Sequence, residues 1–499
     1  MKALVLLALI FSMAAYSTTV TIEIPAEMLG SVQMHTTSDG VVPHLSGAYS
    51  GTEEGLPSLP ELPWSVLLST GERAASVTST ATWETIGVNI TIPPLAAPTP
   101  LTLDAEVTSV QAVEEVYSSD SFWPEAPVEL TGTGFSNGLP EAEILVFPLR
   151  WNPVTGELQK LISLEIRIET ASLLERPFSN GGKDDDFRRM LIVTDTSLEA
   201  TFQLLALRRT DQGILTEVVT MDDVYAASSG RDNAEKLRNF VKDYYTANGL
   251  DFLLLGGDTD LVPYRLAFAM VCEGGIHPRE DDLPCDLYFS DLDGTWDANM
   301  NDIFGEVADN VDLHPDIFVG RATVENITEA QIFVNNIAAY EECFREDFYQ
   351  SVLFLAEVLW TNPYTNSGES KDYIDEHFLP DFLNITKLYK ALGNENLYTA
   401  MAALNAGQNF VNHDGHAWYS CIGVGDDYMY INDVNAIDSD GRFTSVMYSI
   451  GCWSAAFDFD AIAEHFITNV NGGCVTYIGN SSYGWGSPGN PLYGYSDAL

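Results

Sequence analysis

Phe252-Leu253-Leu254-Leu255-Gly256-Gly257-Asp258 is an apolar run that passes directly into a turn. A segment so short, so uniformly apolar and closed by turn residues reads as a strand buried on both faces. Strands of that kind belong to parallel sheets covered by helices. The flanking sequence agrees with this. Leu191-Ile192-Val193 is an apolar strand, residues 199–209 a helix, residues 215–219 a strand and residues 233–248 an amphipathic helix. Strands alternating with helices predict an α/β domain with a parallel sheet flanked by helices. A second set begins at Val352-Leu353-Phe354-Leu355, which divides this half, residues 190–499, into subdomains of about 190–345 and 346–499.

Such sheets gather their working groups at the carboxyl ends of the strands. Two further segments place reactive side chains there. Phe410-Val411 leads into Asn412-His413-Asp414-Gly415-His416, and Val446-Met447-Tyr448-Ser449-Ile450 leads through Gly451 to Cys452. Neighbouring parallel strands would bring His416 and Cys452 to one edge as a catalytic dyad. A thiol is mostly protonated at neutral pH, so an imidazole that stabilises the thiolate and later protonates a leaving amine makes it an effective nucleophile. Backbone N–H groups near the small residues Gly415 and Gly451 are placed to face a developing oxyanion. His413 is a second histidine candidate; with His416 and Cys421 it could instead bind zinc, although no fourth ligand is evident. Glu273 and Glu280 are both candidates to orient His416, and spacing does not choose between them.

Before the α/β half the pattern is different. Residues 18–175 carry short alternating or β-branched runs, such as Thr19 to Ile24, Val88 to Ile92 and Leu161 to Ile168, separated by proline and glycine clusters. That predicts an all-β, sandwich-like domain, and a generic adhesion or carbohydrate-binding module would read the same way. Residues 176–189 have no hydrophobic period and form a linker. In a chain poor in basic residues it holds Lys183, Arg188 and Arg189, the candidate processing positions. Residues 1–17 carry a short positive start, an apolar stretch and small residues, the pattern of a secretory signal peptide. No later stretch is apolar for long enough to form a spanning helix, so no integral membrane segment is expected.

The 499 residues include 23 Lys+Arg and 72 Asp+Glu, a formal charge of -49, with 46% hydrophobic residues. The balance is that of a folded chain, and it disfavours nucleic acid and anionic membrane surfaces as partners. The six cysteines all lie at or after Cys272, so the first half must be held together by core packing; Cys272 and Cys285 are the most local pair. Asp291, Asp293, Asp297 and Asn301 concentrate hard oxygen ligands in one loop, a candidate structural Ca2+ site. No cofactor is required for the dyad chemistry.

Three blocks, Phe410 to Trp418, Tyr448 to Phe457 and Gly473 to Pro488, resemble the histidine block, cysteine block and following strand of the gingipain family, cysteine peptidases with a caspase-like fold. Leu253 to Asp258 with Val262-Pro263-Tyr264, and Asp316 to Arg321, resemble two earlier strands of that family in the same order. The family usually has glycine after the histidine, whereas this chain has Ala417, which still carries an N–H; the resemblance implies that the N–H groups of Cys452 and Ala417 hold the oxyanion. The resemblance implies that His416 is the catalytic histidine and Cys452 the nucleophile. It also implies that Asp286, in Cys285-Asp286-Leu287-Tyr288, selects a basic residue before the scissile bond, and that Trp485 lines that pocket. Gly55 to Pro60 and Ile92-Pro93-Pro94 resemble the proline-punctuated strands of the family's propeptide, which implies that the N-terminal domain acts as inhibitor or chaperone of the chain's own catalytic part. The resulting expectation is a secreted or cell-surface cysteine endopeptidase made as a zymogen and acting on proteins or peptides. The alternative is a non-catalytic cell-surface or secretion-machinery protein that keeps the fold as a scaffold.

Overall fold

A computed structural model describes residues 19–490 apart from 26–31, 38, 46–47, 52, 70, 97, 104–109, 137–138, 173–186, 270–281, 293, 312, 344 and 441–444. The candidate signal peptide, Lys183, Glu273, Glu280 and Asp293 therefore lie outside the described residues.

The N-terminal part is a sandwich of two antiparallel sheets. In one, the long strands Glu72–Gly87 and Glu157–Ser172 pair side by side, and Thr19–Pro25 and Leu149–Asn152 share the other edge of Glu157–Ser172. The other sheet is ordered Tyr49–Ser50, Pro60–Leu67, Leu139–Val146, Val128–Ser136. Alternation sets the faces: Leu164, Ile166 and Ile168 point inward with Leu62, Val66, Ala142 and Ile144 to form one buried core, as a two-sheet packing requires.

Residues 188–490 hold two parallel sheets. The first is ordered Ile214–Thr220, Arg188–Thr194, Phe252–Gly256, Phe318–Ala322. The second is ordered Asn384–Tyr389, Ser351–Ala356, Phe410–Asp414, Ser445–Ser449, Cys474–Gly479. Both of the strand runs that suggested a parallel sheet, Phe252 onward and Val352 onward, are strands here. A shared core joins the two: Ile192, Phe202 and Ala322 from the first half are buried in one cluster with Leu353, Val411 and Met447 from the second.

Two expectations change. Arg188 and Arg189 belong to a strand rather than to the linker: Arg188 opens Arg188–Thr194, its guanidinium meets Asp251 at 2.8 Å, and the Arg189 N–H donates to the same carboxylate at 2.8 Å. Cys285 is a free thiol. Among the described residues no helix is long and apolar enough to cross a membrane.

Candidate active site

Register explains how the site assembles. Ala356 pairs with Asp414, and His413 pairs with Ser449, so three adjacent parallel strands end at about the same level. The next residues of each, Glu357, Gly415-His416 and Ile450-Gly451-Cys452, emerge together at the carboxyl edge. Cross-links hold the loops there. Glu357 N–H donates to Asp414 O at 3.0 Å, and the Ser367 hydroxyl lies 2.7 Å from Glu357 O and 3.1 Å from Asp414 O.

His416 is held by Glu357. Its backbone N–H donates to Glu357 Oε2 at 2.7 Å, and its Nδ1 lies 3.1 Å from the same oxygen. A carboxylate accepting at Nδ1 fixes the imidazole proton there and leaves Nε2 as the basic nitrogen. A glycine is required on each side of this carboxylate. A Cβ at Gly415 would come within 2.8 Å of Glu357 Oε2, and one at Gly423 within 2.5 Å of Oε1. The Trp360 ring stands edge-on to His416, with centroids 6.0 Å apart.

Cys452 is fully buried, and its sulfur lies 3.3 Å from both the N and the O of Gly484. The following residue, Trp453, is held at a φ of 54°, a left-handed conformation rare for a non-glycine side chain. Its N–H to Ser482 O bond (2.6 Å) and its indole N–H to Ser482 Oγ bond (2.9 Å) maintain that turn, as an over-determined backbone at a working site requires. The cysteine and histidine loops abut: a Cβ at Gly451 would fall 2.3 Å from Ala417 Cβ.

A strand from the N-terminal part runs through this cleft. Thr99–Pro100 pairs antiparallel with Trp485–Gly486. Leu101 N–H then donates to Gly484 O at 2.9 Å, and Ala417 N–H donates to Leu101 O at 3.1 Å. The expected oxyanion donor Ala417 is thus bound to a peptide carbonyl of the chain itself.

Other sequence candidates lie elsewhere or are already engaged. His413 is completely buried, with Nδ1 2.8 Å from Ser449 Oγ and Nε2 2.8 Å from Gly423 O. The carbonyl can only accept, so Nε2 carries the proton and Nδ1 accepts from the hydroxyl. Burial, ahead of neighbouring charges, pulls its pKa down to about 4. Both nitrogens are used, so His413 is a strut between strands and not a zinc ligand. Burial also pushes the Cys285 and Cys421 thiols up to about 11, which leaves them protonated at neutral pH.

Asp286 is not a free anion. Arg321 grips it with Nε to Oδ2 at 2.7 Å and Nη2 to Oδ1 at 2.8 Å, and also donates to the carbonyls of Gly257, Val262 and Pro263. The expected selector for a basic substrate residue is therefore already neutralised by a cation of the chain. Trp485, by contrast, does lie on the strand against which residues 99–100 pair. The candidate calcium loop also differs from expectation: Asp297 ion-pairs with Arg231 and accepts the Asn301 N–H at 2.9 Å, and Asn301 Nδ2 donates to Glu306. Among the described residues no group of three or more His, Cys, Asp or Glu side chains converges as a metal cage.

Glu357 escaped the sequence reading, which sought the partner of His416 among residues nearer Asp286. The available signal was the run Leu353-Phe354-Leu355-Ala356-Glu357, a buried strand that ends in a carboxylate.

The family model for peptidase family C25 matches residues 184–498, more than half of the chain. The chain belongs to peptidase family C25. This is the gingipain family of cysteine peptidases, and its fold is the one described above. No match was found among curated proteins. Similar solved structures include a protease at 15% identity and TM-score 0.48, covering 60% of each chain. Another is the Arg-specific cysteine proteinase gingipain R, at 18% identity and TM-score 0.47, covering 62% of this chain and 66% of that one. A third is the complex of the pro- and mature domains of RgpB from Porphyromonas gingivalis, at 16% identity and TM-score 0.44, covering 61% and 66%. The chain thus spans less than two thirds of the length of these relatives.

Proposed function

We propose that this C25 member is a secreted cysteine endopeptidase made as a zymogen, with Cys452 as nucleophile, His416 as acid and base, and Glu357 as the group that positions His416. The observation that carries the reading is the carbonyl of Leu101 on the Ala417 N–H, within a strand added to Trp485–Gly486. That is how a peptide substrate would lie, with its backbone aligned by a β-ladder and one carbonyl directed at an oxyanion donor.

In the reaction His416 Nε2 takes the proton of the Cys452 thiol. The thiolate attacks the carbonyl carbon, a C–S bond forms, and the carbonyl electron pair moves onto an oxygen held by Ala417 N–H. The tetrahedral intermediate collapses as the C–N bond breaks, and the imidazolium gives its proton to the departing amine. Water then attacks the thioester while His416 takes its proton, and the carboxylic acid leaves as the C–S bond breaks. Glu357 stabilises the imidazolium at each stage.

The N-terminal domain acts as the inhibitor, since residues 99–101 fill the groove that substrate needs. Release calls for a cut in the linker, with Lys183 as the candidate position, and the pattern of residues 1–17 supports export. The test uses the full chain nicked within residues 173–186 and a fluorogenic casein under reducing conditions. Thiol-dependent cleavage by the wild type and none by Cys452→Ala is the expected result. A folded, nicked wild type that is as inert as Cys452→Ala would overturn the peptidase reading in favour of a scaffold.

A further inference from the structure

Resting on that reading, we propose that the primary specificity subsite accepts a bulky, uncharged aliphatic side chain before the scissile bond, and that Leu101 is the chain's own occupant of it. Two observations combine. The first is backbone placement: Leu101 is the residue whose carbonyl meets Ala417 N–H and whose N–H meets Gly484 O. A substrate residue whose carbonyl is about to be attacked makes that pair of bonds, so the Leu101 side chain stands where the primary specificity side chain stands. The second is what surrounds that side chain. Leu101 is fully buried in a cluster with Leu359, Trp360, Ile450 and Cys452, with Tyr448 and Tyr483 packed against it.

Glycine at 486 shapes the floor of this subsite. A Cβ there would lie 3.1 Å from Leu101 Cδ2 and 2.7 Å from the Trp360 ring, so a side chain at 486 would shorten the pocket. The acidic candidate for a basic ligand that the sequence offered, Asp286, has both oxygens on Arg321. Against the described aromatic and aliphatic residues packed around Leu101, a lysine or arginine would lose its water without compensation. A leucine-sized side chain gains burial, whereas alanine forfeits several methylene contacts.

The test presents the nicked full chain with matched fluorogenic peptides that carry leucine, alanine, arginine, lysine or glutamate before the cleavable amide. Leucine is expected to exceed arginine, lysine and glutamate in kcat/KM by at least about 100-fold, and alanine by about tenfold, the scale on which apolar pockets discriminate. A second arm uses Gly486→Ala. The leucine-to-alanine ratio of kcat/KM should fall by about tenfold as the floor rises. Arginine or lysine cleaved as well as leucine would overturn the proposal and leave the peptidase reading intact. An unchanged leucine-to-alanine ratio in a folded Gly486→Ala protein would remove Leu101 as a guide to the pocket. Failure of every peptide, together with inert casein, would overturn the peptidase reading and this inference with it.

Discussion

The two parallel sheets end in opposite ways. At the carboxyl edge of the first, Arg321 closes on Asp286 and on three backbone carbonyls. At the edge of the second, Glu357 accepts from both the backbone N–H and the ring of His416, and the Cys452 sulfur lies 3.3 Å from Gly484 O. The same architecture therefore yields a structural clasp at one edge and the proposed reactive site at the other. What separates them is the partner each carboxylate holds: a guanidinium that is always charged at the first edge, and an imidazole that can exchange a proton at the second.

Removing the nucleophile should give the largest effect. Cys452→Ala is expected to lower kcat/KM by at least about 10⁴-fold while leaving the melting temperature nearly unchanged. Residual peptidase activity at a tenth of wild type would mean that the second edge is not the reactive one.

Breaking the clasp should act on stability instead. Arg321→Ala strands the Asp286 carboxylate and removes donors from three carbonyls, a loss of about 3–5 kcal/mol readable by urea denaturation. If Arg321→Ala stays stable and begins to cleave after arginine, Asp286 faces the substrate and the first edge is functional after all.

Glu357→Gln keeps the shape but takes away the charge that supports the imidazolium. A loss of about 10²-fold in kcat with little change in KM is expected, about 2.7 kcal/mol of transition-state stabilisation. An equal rise in KM with kcat preserved would assign Glu357 to substrate binding.

Glu395 should give the smallest effect. Burial, and then the charge of Glu357, push its pKa up to about 9. Its native-state pKa lies above the unfolded value, so the native state retains a proton that the unfolded chain releases between about pH 4.5 and 9. Stability should therefore decline as pH rises through that window. Glu395→Gln is expected to flatten the decline and add roughly 1–2 kcal/mol at pH 8, measured by denaturation at pH 5 and pH 8. Parallel curves for the two proteins would show that Glu395 already sits ionised beside Glu357.

Much of the fold was legible because its signals are local. Phe252 to Gly256 and Val352 to Ala356 announce buried strands through uninterrupted apolar side chains, and the proline-punctuated β pattern of the N-terminal half reads equally directly. The site was legible only in part. His416 and Cys452 each follow an apolar strand and a glycine, so their placement at a sheet edge could be inferred. Glu357 follows a strand as well, but its partnership with His416 depends on which strands lie side by side, and that order is not written in any single segment. Arg188 and Arg189 read as linker because two cations break the apolar pattern, yet Asp251 pairs with the Arg188 guanidinium and accepts the Arg189 N–H at the start of a strand.

Sequence alone determined the strand and helix types, the change from a β half to an α/β half, and the two candidate reactive side chains, because hydrophobic periodicity and turn chemistry act over a few residues. Tertiary structure decided which histidine is the strut and which is held by a carboxylate, that this carboxylate is Glu357, that Asp286 is already taken, and that Leu101 packs against Cys452. Each of these depends on groups brought together from distant parts of the chain, where burial and charge compensation, rather than residue type, fix what a side chain can do.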